Sequence, residues 1–133
     1  MMTNDEAKAF CQDWLAAWTG NHPIRLHQFY TSDAYYRDPA NPDGLRGDDI
    51  LPYFRKLLAK NPAWMWKTVE VFPTQNGFCL KWIATVPVGE QVVYETGVDI
   101  VELEAGKISH NEVYFDRTAL LSCLSSARES KSA

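Results

Sequence analysis

A chain of 133 residues with 46% hydrophobic and 13% aromatic content has the size of one ordinary domain and the means to bury a core. Its formal net charge of −4, with 13 scattered basic residues, excludes the clustered Lys and Arg that a phosphate backbone requires, so no nucleic acid is expected as a partner. No apolar run suits a membrane span and no basic amphipathic face suits a membrane surface; with a polar, acidic N-terminus unlike a secretory signal, a cytoplasmic location is expected.

Thr3-Asn4-Asp5-Glu6 reads as a capping box opening a helix, and Ala7, Phe10, Cys11, Trp14, Leu15 and Trp18 recur at helical spacing behind it. Gly20 and Asn21 stop that helix. His22-Pro23 begins a short second one, whose apolar face holds Leu26, Phe29 and Tyr30. Ala34 to Pro39 is predicted as a short strand ending at the proline, and Asn41-Pro42-Asp43-Gly44 has turn chemistry. Asp48 and Asp49 favour a helix start, and Ile50, Phe54, Leu57 and Leu58 make the third helix amphipathic up to Pro62.

Beyond this point the apolar period falls from about 3.6 to 2. Strands are predicted from Trp66 to Phe72, from Phe78 to Val86, from Gln91 to about Glu104 and from Ile108 to Phe115, joined by tight turns rich in Gly. Asp116 caps a short closing helix with Leu120, Leu121 and Leu124, and the polar stretch from Ser125 is expected to fray. The layout is α+β: three N-terminal helices grouped on one face of a curved antiparallel sheet, in one domain over residues 1–124, with a flexible polar tail at 125–133.

Alternation puts Gly97, Asp99, Val101 and Leu103 on one face of the longest strand, the apolar one, so Asp99 is a carboxylate in an apolar layer. A charge there is costly unless it is paired, hydrogen-bonded or protonated, which makes Asp99 a candidate for chemistry. Asp38, just before Pro39 and on the face of Tyr36, is the second candidate. Asn111 shares the more apolar face of the last strand with Val113 and Phe115, whereas His110, Glu112 and Tyr114 point the other way. Trp14, Trp18, Tyr30, Tyr36, Phe54, Trp64, Trp66, Trp82, Asn111 and Phe115 are expected around a pocket for a small apolar or aromatic ligand. Cys11, Cys79 and Cys123 are odd in number, lie in apolar contexts and lack metal-like spacing, so free thiols are expected. No His/Cys ligand cluster or phosphate-cradling glycine loop is present, so neither a metal nor a cofactor is expected.

Trp14-Leu15-Ala16-Ala17-Trp18, Asp38-Pro39, Gly47 with Phe54, and Val98-Asp99 through Ala105-Gly106-Lys107-Ile108 resemble the nuclear transport factor 2-like superfamily. Within it, the pattern is most similar to the branch of SnoaL-like polyketide cyclases and ketosteroid isomerases. The resemblance spans about residues 5 to 124 and implies a cone-shaped, cystatin-like curved sheet wrapped around the helices. It also implies that Asp38 shuttles a proton next to a carbonyl while a protonated Asp99 stabilises the enolate. The isomerases' helical tyrosine position is occupied by Trp14, a weaker donor with a larger ring, so a cyclic or aromatic substrate smaller than a steroid is expected. Arg37 falls opposite the face of Asp38, and no arginine is read as aimed at the cavity.

Three functions are compatible with these features. The first is a cofactor-independent isomerase, cyclase or dehydratase using Asp38 as base, and the second is a hydrophobic binding module without catalysis. The third is an interaction domain whose open sheet face, with Tyr94, His110 and Tyr114, mediates homodimerisation or docks another protein. A homodimer is expected under each.

Overall fold

The computed structural model describes residues 1–132. Helix α1 (Asn4–Ala16) starts as its sequence dictates: Thr3 accepts from the Glu6 backbone N–H, and the Glu6 side chain accepts from that of Thr3. Its apolar stripe buries Ala7, Cys11, Trp14 and Leu15. Helix α2 (Pro23–His27) is a short turn with Pro at its start, and α3 (Ile50–Lys60) follows a single 3-10 turn at Gly47–Asp49.

Six strands form one sheet: β1 (Tyr30–Asp38), β2 (Asn41–Arg46), β3 (Met65–Pro73), β4 (Gly77–Val88), β5 (Gln91–Glu104) and β6 (Lys107–Tyr114). Their order is β2-β1-β6-β5-β4-β3, antiparallel throughout except where β1 runs parallel to β6. The β3 to β6 meander is the one predicted from the period-2 pattern, with two-residue links at Gly89-Glu90 and Ala105-Gly106. Both Ala105 and Gly106 take positive φ, as a hairpin turn matched to strand twist requires.

The N-terminal half of the sheet differs from expectation. Tyr30 opens β1 rather than closing the second helix, because the chain leaves α2 at His27 and joins β6 through the Ile108 N–H to Phe29 carbonyl bond. Asn41 to Gly44, expected as a turn, belongs to β2; the tight turn is the Pro39-Ala40 pair before it, with Asp38 opposite Asn41. Pro42 is tolerated there because β2 is an edge strand whose missing N–H faces no neighbour. Helix α4 (Thr118–Ser132) runs past Leu124, so most of the expected polar tail is helical, and Ala133 lies outside the described residues.

The three N-terminal helices cover one face of the sheet. Trp14, Phe54, Phe78, Leu26, Ile50 and Ile108 are among the fully buried side chains between the layers. No described helix is long and apolar enough to cross a membrane.

Candidate functional site

A pocket of about 190 Å3 opens between the inner sheet face, α1, α3 and α4. Its floor comes from alternate residues of the central strands, among them Ala84 and Val86 of β4 and Val113 of β6. Leu15 and Trp18 line it from the first helix and its exit, Tyr53 and Leu57 from α3, and Leu120, Leu121 and Leu124 from α4. Aromatic rings dominate the remaining wall, where Trp18 packs on Trp66 and Trp66 on Trp64.

Two polar centres break this apolar surface. Asp38, only 6% exposed, stands at the end of β1. Its Oδ2 accepts from the hydroxyls of Tyr36 at 2.9 Å and Tyr53 at 2.5 Å. Its Oδ1 accepts from the backbone N–H groups of Ala40 (3.0 Å) and Asn41 (2.9 Å) and from the Asn41 side-chain amide (2.9 Å). These five donors match or exceed the acceptor sites that a carboxylate offers. Burial, followed by the Asp38 interaction, holds the Tyr36 and Tyr53 hydroxyls well above the ordinary phenol range, so both stay protonated donors.

Asp99, 4% exposed, projects from β5 into the same pocket. Trp82 Nε1 donates to its Oδ1 at 2.7 Å, and the Asn111 amide donates to its Oδ2 at 2.9 Å. The Tyr30 hydroxyl in turn donates to Asn111 Oδ1 at 2.8 Å, which fixes the amide's orientation. Burial pushes the Asp99 carboxyl up to about 6; the two hydrogen bonds oppose that rise and the Asp38 charge adds to it. The Trp82 bond depends on Gly97, which lies opposite Trp82 across β4 and β5. A Cβ at Gly97 would collide with the Trp82 ring, so the glycine lets the indole lie over β5 and reach Asp99.

Of the residues expected around the pocket, Trp18, Tyr36, Asp38, Trp64, Trp66, Trp82, Asp99 and Phe115 line it. Trp14, Tyr30, Phe54 and Asn111 stand behind the wall instead. Trp14 is fully buried and its indole N–H has no hydrogen-bond partner, although it lies near enough to favour the Tyr30 hydroxyl oxygen electrostatically. Arg37 lies on the opposite sheet face, over the Tyr114 ring.

Three polar lining residues escaped the sequence reading: Tyr53, Glu95 and Arg117. Arg117 corrects the expectation that no arginine faces the cavity; it follows β6 in a linker with no periodicity to aim it. Tyr53 was legible as the i+3 position after Ile50, on the stripe that carries Phe54 and Leu57. Glu95 was legible as the same-face residue four before Asp99. The Cys11 thiol is pushed up to about 12, mainly by burial, which leaves it inert as a nucleophile. Among the described residues no cluster of three His, Cys, Asp or Glu side chains has metal-binding geometry.

A family model described as a SnoaL-like domain matches residues 11–111. No curated protein sequence matches the chain. Among solved structures, one from Catenulispora acidiphila with a ketosteroid isomerase-like fold, in complex with trimethylamine, superposes with a TM-score of 0.76 at 15% identity, covering 87% of this chain and 92% of that one. TerC co-crystallised with polyporic acid gives 0.73 at 11% identity over 88% and 96% of the two chains. A SnoaL-like protein from Burkholderia thailandensis gives 0.72 at 14% identity over 87% and 99%. At these identities the likeness is one of fold.

Proposed function

The chain belongs to the SnoaL-like domain family, and on that premise we propose a cofactor-independent acid–base enzyme acting next to a carbonyl of a small cyclic or aromatic substrate. The observation that carries this reading is the pair of buried carboxylates in one largely apolar pocket, and Asp99 above all. Each Asp99 oxygen accepts a single hydrogen bond and keeps acceptor capacity for a substrate proton. Its two hydrogen bonds favour the ionised form, since an indole N–H and an amide N–H can only donate to it, while burial opposes that form and sets the net direction. With its carboxyl at about 6, it is ionised by about ten to one at neutral pH, near the optimum for a general base.

Asp38 is less suited to that step, because both of its oxygens are already engaged. The roles implied by the resemblance are therefore exchanged in this proposal. Asp99 removes the proton, Asp38 orients the Tyr53 hydroxyl, and Arg117, a cation of the lining, faces the developing enolate charge. Suitable outcomes are isomerisation, ring closure or dehydration.

The test is deuterium exchange at the carbon next to the carbonyl, followed by NMR over a panel of small cyclic and aryl ketones. Exchange is expected to rise as pH passes through about 6 and to fall by about 10²–10⁴ in Asp99→Asn with folding unchanged. Loss in Asp38→Asn alone would return the base role to Asp38, and no exchange across the panel would end the catalytic proposal. The second reading, a binding module, is favoured by the saturated Asp38 and the continuous Trp wall; it predicts saturable Trp quenching without turnover. Under either reading a cytoplasmic homodimer is proposed. Its support is the odd number and apolar settings of Cys11, Cys79 and Cys123, which suit free thiols, and the apolar outer sheet face.

A further inference from the structure

Four buried side-chain polar atoms have no hydrogen-bond partner among the described residues: Trp14 Nε1, Thr31 Oγ1, Arg37 Nη1 and Glu95 Oε1. Only Glu95 belongs to the pocket wall. It is 9% exposed, and no cation stands within ion-pair distance of it among the described residues. Its setting follows from register. Glu95 on β5 lies opposite Ala84 on β4, and Ala84 lies opposite Trp66 on β3. The three side chains share the pocket face, and the small Ala84 leaves a gap between Trp66 and Glu95, whose backbones lie two strand spacings, or ~10 Å, apart.

A buried carboxylate without a partner is costly, and the cost falls away when a ligand supplies the missing positive donor. The pocket as a whole has the same preference: among the described residues, Asp38, Glu95 and Asp99 line it against Arg117 alone. Tryptophan faces next to the gap attract an ammonium and its N-alkyl groups. We propose that Glu95 is the recognition residue for a protonated amine, and that the pocket's ligand is a small apolar molecule carrying that group. This deepens the small-molecule reading above and rests on the same pocket. The ammonium N–H donates to Glu95, its substituents lie against Trp66 over Ala84, and the rest of the molecule extends toward Asp99.

The test compares two isosteres at neutral pH by calorimetry and Trp fluorescence: N,N-dimethylbenzylamine, which is protonated, and isobutylbenzene, which is neutral. The amine is expected to bind wild-type protein more tightly than the hydrocarbon. Glu95→Gln, of equal size, is expected to weaken the amine by about ten- to a hundredfold and leave the hydrocarbon unchanged. Equal affinity for both compounds on the wild type, which needs no variant to fold, would overturn the amine assignment while leaving the pocket as a ligand site. Equal amine affinity in wild type and Glu95→Gln would overturn the role of Glu95. Binding of neither compound to folded protein would overturn this proposal together with the pocket reading beneath it.

Discussion

The Asp99 carboxyl sets a measurable trade between stability and chemistry. Its folded value of about 6 lies above its ordinary 3.8, so between those pH values the native state holds a proton that the unfolded chain has released. Stability from this group is therefore greatest below about pH 4 and falls as pH rises to about 6. The cost at neutral pH is on the order of 3 kcal/mol, a net figure that already includes the opposing Trp82 and Asn111 hydrogen bonds. Denaturant unfolding of wild type and Asp99→Asn at several pH values isolates it: the wild type is expected to lose stability relative to the variant between pH 4 and 7, and parallel curves would refute the buried charge. The residue types and the two-residue alternation made Asp99 and its inward face legible. The identity of its partners was not, because Trp82 reaches Asp99 only across Gly97 and Tyr30 only through Asn111. An aromatic residue at a pocket-like position does not say which side of the wall its ring occupies, as Trp14 and Phe54 show.

Helix α4 is the element on which closure of the pocket depends. Leu120 is buried, and with Leu121 and Leu124 it supplies the wall that no other element provides. Of α4, Leu120 joins the buried layer between the sheet and α1 to α3, and Cys123 and Leu124 pack partly buried against it. A chain ending at Arg117 is thus expected to unfold cooperatively, with stability lowered by about 2 to 3 kcal/mol for Leu120 and its neighbours. It should also bind more of a hydrophobic dye such as ANS than the full chain. Dye binding equal to that of the full chain would mean that α4 does not close the site. The length of α4 was not legible, since Ser125 onward carries no apolar stripe in the sequence. Strand β2 was misread for a related reason: Asn, Pro, Asp and Gly have turn chemistry, and only pairing with β1 makes them an edge strand.

For the molecule as a whole, the outer sheet face presents an uncovered apolar surface. Tyr94, Val98 and Ile100 of β5 and Tyr114 of β6 are exposed side by side there, next to the Tyr35–His110 stack. Sedimentation is expected to give twice the 15.1 kDa chain mass, and Val98→Lys with Ile100→Lys to give a monomer. A monomeric wild type at micromolar concentration would exclude the homodimer. The sequence by itself determined the α+β class, the order of helices and meander, and two inward-facing carboxylates, because period and turn chemistry act over a few residues and need no partner to be read. Tertiary structure decided the rest: the parallel seam that brings β1 beside β6, the five donors around Asp38, and the convergence of Asp38, Glu95, Asp99 and Arg117 on one hollow. Those depend on strand order and register between segments far apart in the chain, where local preferences carry no information about which side chains meet.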